Sequence, residues 1–280
     1  MEHKYHKIFT FWEPHANVPV YLKLCMQTWE KFLPECEIVV LDYSNLDEWL
    51  GKDYFDKSLY HNFSLPKQAD AIRCALLKQH GGIWFDTDTI ITSEKVRDIL
   101  QIDSEFTLIE KHIGVIVAKQ NARILNKWEK GIKKNIKLYE LYHKSPVARL
   151  ALSVFRPFYV RRLDRWDFLG NSLLKWSLKT KNKKIFHRID RQKLKALPEI
   201  NWVLDNNLGL SAMQAYGQFY FENDLSEYAL TDTGGIIYLH NSWTPERYKQ
   251  MNSEEFLKQN MTLSNLLIKL GVHPSIETER

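Results

Sequence analysis

The chain is poor in cysteine and lacks the cysteine patterns of disulfide-bonded or zinc-binding proteins. Cys25, Cys36 and Cys74 are scattered and form no Cys-x-x-Cys pair. An odd, scattered set is typical of reduced, buried thiols in a cytosolic protein. We therefore expect neither a disulfide framework nor a zinc site.

Long apolar segments are also missing. No window of about 18 residues is free of charge, as a membrane-spanning helix would require. The N-terminal residues Met1–Lys7 lack the apolar stretch of a secretory signal peptide. We expect a cytoplasmic protein without a transmembrane helix. Its 44% hydrophobic and 26% charged residues suit a packed core, and we expect a single domain over residues 1–280.

Positive charge is concentrated in the middle of the chain. Residues 111–195 contain 23 Lys and Arg against five Asp and Glu, a balance of +18, whereas the whole chain has a net charge of +5. So large a contrast indicates a surface that meets an anionic partner. Charge alone allows nucleic acid or an anionic membrane.

Apolar runs alternate between strand and helix patterns on both sides of this basic region. The pattern predicts strands at 8–11, 37–42, 83–85, 107–110, 113–118 and 235–239. It predicts helices at 20–33, 47–51, 67–79, 253–257 and 263–270. This alternation favours an α/β fold with a parallel sheet, which binds its ligand at the carboxyl ends of the strands.

Approximately residues 121–200 break the alternation. They are mainly helical by pattern, with a helix predicted at 122–132 and an apolar run at 146–160 that carries Arg149 and Arg156. We interpret this region as a helical basic insertion that faces the acceptor or a membrane, not as an independent domain.

One acid–base pair stands on the predicted helix at 67–79. Asp70 and Arg73 are three residues apart, so they share one face of the helix. Taken alone, the spacing describes an intrahelical ion pair worth about 0.3–0.5 kcal/mol. Gly81-Gly82 then ends the helix.

Two further carboxylates follow the apolar strand Ile83-Trp84-Phe85. Asp86 and Asp88 are two residues apart and would point to the same side of an extended chain. Asp-x-Asp alone is common in solvated turns. At a strand end, however, two hard oxygen ligands suit Mn²⁺ or Mg²⁺ carrying a diphosphate.

The compound pattern is far more specific than its parts. Asp-x-x-Arg, seven residues, Gly-Gly, three apolar residues and Asp-x-Asp closely resemble the core motif of family 32 glycosyltransferases, of capsular polysaccharide synthesis proteins and of the glucosylating clostridial toxins. The strings 11–14, 24–34 and 38–42 match the capsular branch. The resemblance covers roughly residues 5–120 and 234–243. It implies a GT-A type, Rossmann-like nucleotide-sugar-binding fold.

The resemblance also implies roles for the motif residues. Asp88 would bind the metal directly. Asp86 would bind the metal through water, or would bind the ribose hydroxyls. Asp70 would bind hydroxyls of the donor sugar, and Arg73 would contact the sugar or a phosphate, since its planar fork matches paired oxygens. Trp12, at the end of the first strand, would stack on the base, with ordinary core packing as the alternative.

The C-terminal part of the resemblance is His240-Asn-Ser242-Trp243, which follows the last predicted strand. It implies that His240 is the third metal ligand and that Ser242 and Trp243 contact the diphosphate. A lone histidine is more often a surface or core residue, and Trp243 suits core packing equally well.

The acceptor side matches no pattern. Its one polar-aromatic-glycine cluster is Arg165–Asn171, in which Asp167 is our candidate for an acid near the donor sugar. A solvent-facing Asp167 paired with Arg165 is the simpler explanation.

Together these features predict a metal-dependent glycosyltransferase of capsular or exopolysaccharide synthesis. It would transfer a hexose from a nucleotide diphosphate sugar, with UDP-sugars favoured, and the resemblance implies retention of configuration. The expected acceptor is a polyprenyl-diphosphate-linked glycan at the inner face of the cell membrane, which the basic region would bind peripherally. A toxin-like protein glycosyltransferase is the alternative. A basic nucleic-acid-binding module would leave Asp86, Asp88 and His240 without a purpose, so we expect no nucleic-acid partner.

Overall fold

The computed structural model describes six stretches of the chain and gives it a mixed α/β architecture. These stretches are 7–55, 57–109, 112–179, 182–189, 197–231 and 234–274. The strands are β1 (Lys7–Phe11), β2 (Glu37–Leu41), β3 (Gly82–Phe85), β4 (Thr89–Ile91), β5 (Phe106–Ile109), β6 (His112–Ala118), β7 (Phe186–Ile189) and β8 (Ile236–Tyr238).

The helices flank these strands and fill the middle and the end of the chain. They are α1 (Val20–Phe32), α2 (Leu46–Leu50), α3 (Lys57–Asn62), α4 (Leu65–His80), α5 (Val96–Leu100), α6 (Arg123–Lys144), α7 (Pro146–Phe155), α8 (Pro157–Val160), α9 (Asn171–Ser177), α10 (Pro198–Asp205), α11 (Ala212–Gly217), α12 (Ser226–Thr231), α13 (Glu246–Lys249), α14 (Ser253–Leu257) and α15 (Thr262–Lys269). In the part of the chain that is described, none of them is both long and apolar enough to cross a bilayer.

Six strands form the central sheet in the order β2-β1-β3-β6-β5-β7. β1 pairs parallel with β2 and β3, and β5 pairs parallel with β7. β6 runs antiparallel to both of its neighbours. The predicted α/β class is confirmed, and the expected parallel sheet is mainly parallel, with β6 as its antiparallel strand. β5 and β6 are two residues apart in sequence, and so short a connection joins antiparallel strands.

The last strand lies outside the central sheet. β8 pairs antiparallel with β4 in a separate two-stranded sheet, with Thr89 opposite Tyr238. The backbone N–H of Leu239 donates to the carbonyl of Asp88 at 2.9 Å. The end of β8 therefore reaches the Asp-x-Asp turn through this small sheet.

Two glycines let α4 turn directly into β3. Gly81 and Gly82 have backbone φ angles of +67° and +104°, which residues other than glycine rarely adopt. A Cβ at Gly81 would stand 2.7 Å from the backbone nitrogen of Gln120, and one at Gly82 would stand 2.9 Å from the Lys7 carbonyl oxygen. The predicted helix end is confirmed, with close backbone approach as an added reason for both glycines.

The middle of the chain is mainly helical from α6 to α9, as expected. α6 continues to Lys144, beyond the predicted end at Ile132. The apolar run at 146–160 forms two helices, since Pro157 disfavours helical conformation at Arg156 before it. The chain then returns to the sheet as β7, which the sequence pattern did not predict. Lys111, residues 180–181 and residues 190–195 of the basic region lie outside the described stretches.

Candidate active site

A cleft of about 420 Å³ lies at the carboxyl ends of β1 and β3. These strands are parallel neighbours, so the residues that follow them meet at one edge of the sheet. Trp12 follows β1, Asp86 and Asp88 follow β3, and all three line the cleft together with Arg73. The structure thus brings four of the predicted site residues into one wall.

Arg73 lies buried at the base of this cleft. Its Nη2 is 3.1 Å from Oδ1 of Asp86 and 3.5 Å from Oδ1 of Asp70. Its Nη1 donates to the Ile113 carbonyl at 2.5 Å, and the guanidinium lies 4.9 Å from the centre of the Trp84 ring. Burying a guanidinium is costly unless it is paired and hydrogen-bonded. Arg73 therefore holds two carboxylates in fixed positions.

Asp86 and Asp88 have different partners. Oδ1 of Asp86 accepts from the indole N–H of Trp84 at 2.8 Å in addition to its ion pair with Arg73. Oδ2 of Asp88 accepts from the backbone N–H of Asn241 at 3.0 Å. Burial and the charge of Asp86 raise the pKa of Asp88, against the lowering effect of the Asn241 N–H.

The carboxylates of the cleft fit a divalent metal ion whose remaining ligands are the phosphates of a substrate. Asp86 and Asp88 both line the cleft, and only Asp86 of these two is paired with Arg73 among the ion pairs of the described residues. Mg²⁺-like ions are commonly bound by one or two carboxylates plus the phosphates of a substrate. Within the described ranges no three His, Cys, Asp or Glu side chains are grouped to hold a metal ion. Asp86 and Asp88 would therefore share the ion with a diphosphate and water.

His240 follows β8, but the structure does not group its ring with Asp86 and Asp88. The imidazole centre is 4.2 Å from the Trp243 ring and 5.6 Å from the Tyr216 ring. Ser242 is exposed and Trp243 is partly buried. Neither they nor His240 lines the cleft, whereas Asn241 between them does.

Asp70 is covered by the segment that holds Asp167. A Cβ built on Gly170 would stand 2.6 Å from Cγ of Asp70, so the glycine lies directly on the carboxyl group. Asp70 is 4% exposed and does not line the cleft. Burial raises the pKa of Asp70 to about 7, while Arg73 lowers it and the carboxylates of Asp86 and Asp167 raise it.

Asp167 is buried, not solvent-facing. Burial raises its pKa, but the Ser172 hydroxyl and the Arg165 guanidinium donate to its carboxylate and hold the pKa below its usual range. The expected pairing with Arg165 is present at 3.0 Å. The simpler explanation is thus right about the partner and wrong about the exposure.

A family model for capsular polysaccharide synthesis proteins matches residues 1–191. The chain belongs to this family. The match confirms the resemblance and, at this level, the expected class of enzyme, a glycosyltransferase of capsular polysaccharide synthesis. No curated protein matches the chain.

Several solved glycosyltransferases are similar to this capsular polysaccharide synthesis protein at low identity. One is involved in glycosylation of the major capsid of PBCV-1, with a TM-score of 0.41, 10% identity and coverage of 88% of this chain and 98% of that one. GlyE of Streptococcus pneumoniae has a TM-score of 0.44 and 11% identity, with coverage of 98% of this chain and 66% of that one. The galactosyltransferase LgtC, solved with donor and acceptor sugar analogues, has a TM-score of 0.41 and 10% identity. The match covers 96% of this chain and 98% of that one.

Sequence reasoning missed three polar residues of this family member's cleft. Glu13 and Thr87 line it next in sequence to Trp12 and Asp88, and Asn241 lines it beside Asp88. Asn241 also accepts from the Tyr21 hydroxyl at 2.6 Å. Its place between His240 and Ser242 was the available signal, because successive residues of the short 3-10 helix Asn241–Trp243 point in different directions.

Proposed function

We propose that the protein is a metal-dependent glycosyltransferase that transfers a hexose from a nucleotide diphosphate sugar, with UDP-sugars favoured, to a glycan hydroxyl. In this reaction the bond from the anomeric carbon to the diphosphate breaks, and a bond from that carbon to the acceptor oxygen forms. The acceptor hydroxyl loses its proton to the released nucleotide or to water. The observation that carries the proposal is the single cleft that joins Trp12 to Asp86, Asp88 and Arg73. It combines an aromatic face with paired carboxylates at the ligand-binding edge of the sheet.

Each end of the donor has a matching group in the cleft. The Trp12 ring offers a surface for base stacking. Asp86 and Asp88 would hold Mn²⁺ or Mg²⁺, which neutralises the charge of the departing diphosphate. Asn241 keeps Asp88 in place through its backbone N–H. Roles for His240 as a third ligand, and for Ser242 and Trp243 on the diphosphate, require their side chains to turn toward the cleft.

The sugar end would lie near Arg73. This residue positions Asp70 and Asp86 and exposes part of its own surface to the cleft. Binding of sugar hydroxyls by Asp70 requires the segment around Gly170 to move, because that glycine covers the carboxyl group. Asp167 would come within reach of the sugar in the same movement. We propose that the transfer retains the configuration of the anomeric carbon. Determining the anomer of the product tests this.

The acceptor would be a polyprenyl-diphosphate-linked glycan presented at the cytoplasmic face of an anionic membrane. The support is the charge of residues 111–195, and the helical region of approximately 121–200 would face that acceptor. The same region also exposes the aromatic side chains of Phe155, Phe158 and Trp166, which favours a lipid surface as the partner. Binding to a nucleic-acid backbone would need only the positive charges.

A donor-hydrolysis screen tests the proposal. The purified protein is incubated with UDP- and GDP-sugars, with manganese or with chelator, and released nucleotide is measured. We expect release from one or more UDP-sugars with manganese and none with chelator. Hydrolysis of GDP-sugars alone would overturn the choice of base, and no hydrolysis or transfer with any donor would overturn the proposed activity.

A further inference from the structure

Helices α7 and α8 present apolar side chains to solvent. Val147, Leu150, Val154, Phe155 and Phe158 are 79%, 69%, 62%, 82% and 77% exposed. No residue of either helix is buried. We call these five side chains the α7–α8 surface. A group of exposed apolar side chains of this size marks an interaction site in a soluble domain.

Four of the five side chains of the α7–α8 surface belong to a well-formed helix, α7. The Ser145 hydroxyl accepts from the backbone N–H of Ala148 at 3.2 Å and caps α7, and Pro146 occupies its first turn. Val147, Leu150 and Val154 follow a three- and four-residue spacing, so they lie on one face. Arg149 ties the helix back to α6 by donating to the carbonyls of Tyr142 and His143.

Charge identifies the partner of this surface. Residues 141–163 contain five Lys and Arg and no Asp or Glu. Lys144, Arg149, Arg156 and Arg161 are exposed, and the Arg161 guanidinium lies 5.9 Å from the centre of the Phe158 ring. Apolar side chains bordered by cations are typical of helices that lie in the interface of an anionic bilayer. A second copy of this surface would instead bring like charges together.

We propose that α7 and α8 insert their apolar side chains into the interface of an anionic bilayer. This inference deepens the membrane part of the proposed function, because it names the element and adds an apolar contact to the electrostatic attraction. A purely electrostatic contact is lost at about 1 M salt, where the Debye length is about 3 Å. Inserted side chains retain part of the binding under that condition.

The surface also borders a second cavity. This cavity, of about 230 Å³, is lined by Phe158 of the α7–α8 surface and by Arg162, Trp176 and Ser172. The Ser172 hydroxyl donates to Asp167, whose neighbour Gly170 covers Asp70. Insertion of Phe158 would therefore place the membrane near the segment that covers Asp70.

Vesicle co-sedimentation tests the insertion. Wild-type protein and the double variant Leu150→Ser, Phe155→Ser are mixed with vesicles of phosphatidylglycerol and phosphatidylcholine, and with phosphatidylcholine alone, at low salt and at about 1 M salt. Leu204→Ser is the matched control, because Leu204 is 66% exposed on α10. Donor hydrolysis without vesicles is measured for every variant, so loss of the proposed activity is seen separately.

We expect wild-type protein to bind the anionic vesicles and to keep part of that binding at high salt. The double variant should lose binding roughly tenfold or more at both salts, with unchanged donor hydrolysis. Leu204→Ser should behave as wild type. The proposal is overturned if the double variant binds like wild type, or if wild-type protein ignores anionic vesicles at low salt. It is also overturned if the wild type is a dimer that the double variant converts to monomer.

Discussion

The backbone of Gly170 lies directly on the carboxyl group of Asp70. A Cβ at position 170 would stand 2.6 Å from Cγ of Asp70 and closer still to one of its oxygens. The helical middle of the chain is thereby joined to α4, whose Arg73 lines the candidate cleft. The segment that contains Asp167 and Ser172 is held at Asp70, which also pairs with Arg73.

We predict that Gly170→Ala lowers donor hydrolysis by at least about tenfold, because the added methyl group displaces either Asp70 or the segment that covers it. Gly217→Ala is the matched control, since a Cβ there would meet no atom within 4 Å. Hydrolysis rates and urea unfolding are measured for the two variants. Wild-type hydrolysis in Gly170→Ala would show that the close contact has no part in the site.

Asp70 should give the stability of the fold a specific pH dependence. Burial raises its pKa to about 7 from an unfolded value of about 3.9. The cost of ionising it in the folded state is absent below pH 4, grows between pH 4 and 7, and is complete above pH 7.

The stability of wild type relative to Asp70→Asn should therefore fall as the pH rises from 4 to 7 and then remain constant. Urea unfolding of both proteins at pH 5, 6 and 8 measures the difference in free energy of unfolding. A difference that does not change with pH would show that Arg73 keeps Asp70 ionised throughout.

Trp12→Ala should weaken nucleotide binding more than it changes turnover, because stacking on the base is worth about 1–3 kcal/mol and the base is remote from the reacting carbon. Calorimetric titration with UDP and manganese gives the affinity. Trp176→Ala, a change of a 63% exposed tryptophan outside the cleft, is the control. If UDP binds Trp12→Ala as tightly as wild type, Trp12 serves only the apolar cluster beside it.

Local spacing was sufficient to predict which of these carboxylates and cations lie close together. The three-residue interval between Asp70 and Arg73 and the two-residue interval between Asp86 and Asp88 follow from helix and strand geometry. Trp12 was chosen from the family resemblance, and it lines the same cleft because the carboxyl ends of parallel strands meet at one edge. Arg73 pairs with both Asp70 and Asp86.

The contacts between distant segments could not be predicted in this way. The pairing of β8 with β4, the addition of β7 to the sheet edge and the position of Gly170 on Asp70 all join residues far apart in the chain. Periodicity describes which face of an element is apolar, but it does not identify the partner of that face. For the α7–α8 surface the sequence predicted only an apolar run. Its exposure to solvent could not be predicted, since exposure depends on what the rest of the chain covers.

Asp88→Asn should abolish transfer while leaving the fold intact. The amide oxygen can still accept the N–H of Asn241, but a ligand charge for the metal and diphosphate is lost. Asp53→Asn is the control, because Asp53 is exposed in a turn outside the cleft. Full activity of purified Asp88→Asn at limiting manganese would remove Asp88 from the site.

The most direct test of a metal-dependent donor site is removal and return of the metal. Wild-type protein is treated with chelator, freed of it by gel filtration, and assayed for hydrolysis of the preferred UDP-sugar before and after manganese is added. The account predicts no turnover without metal, recovery with manganese and weaker recovery with magnesium. Undiminished turnover by the metal-free protein would contradict the roles given to Asp86 and Asp88.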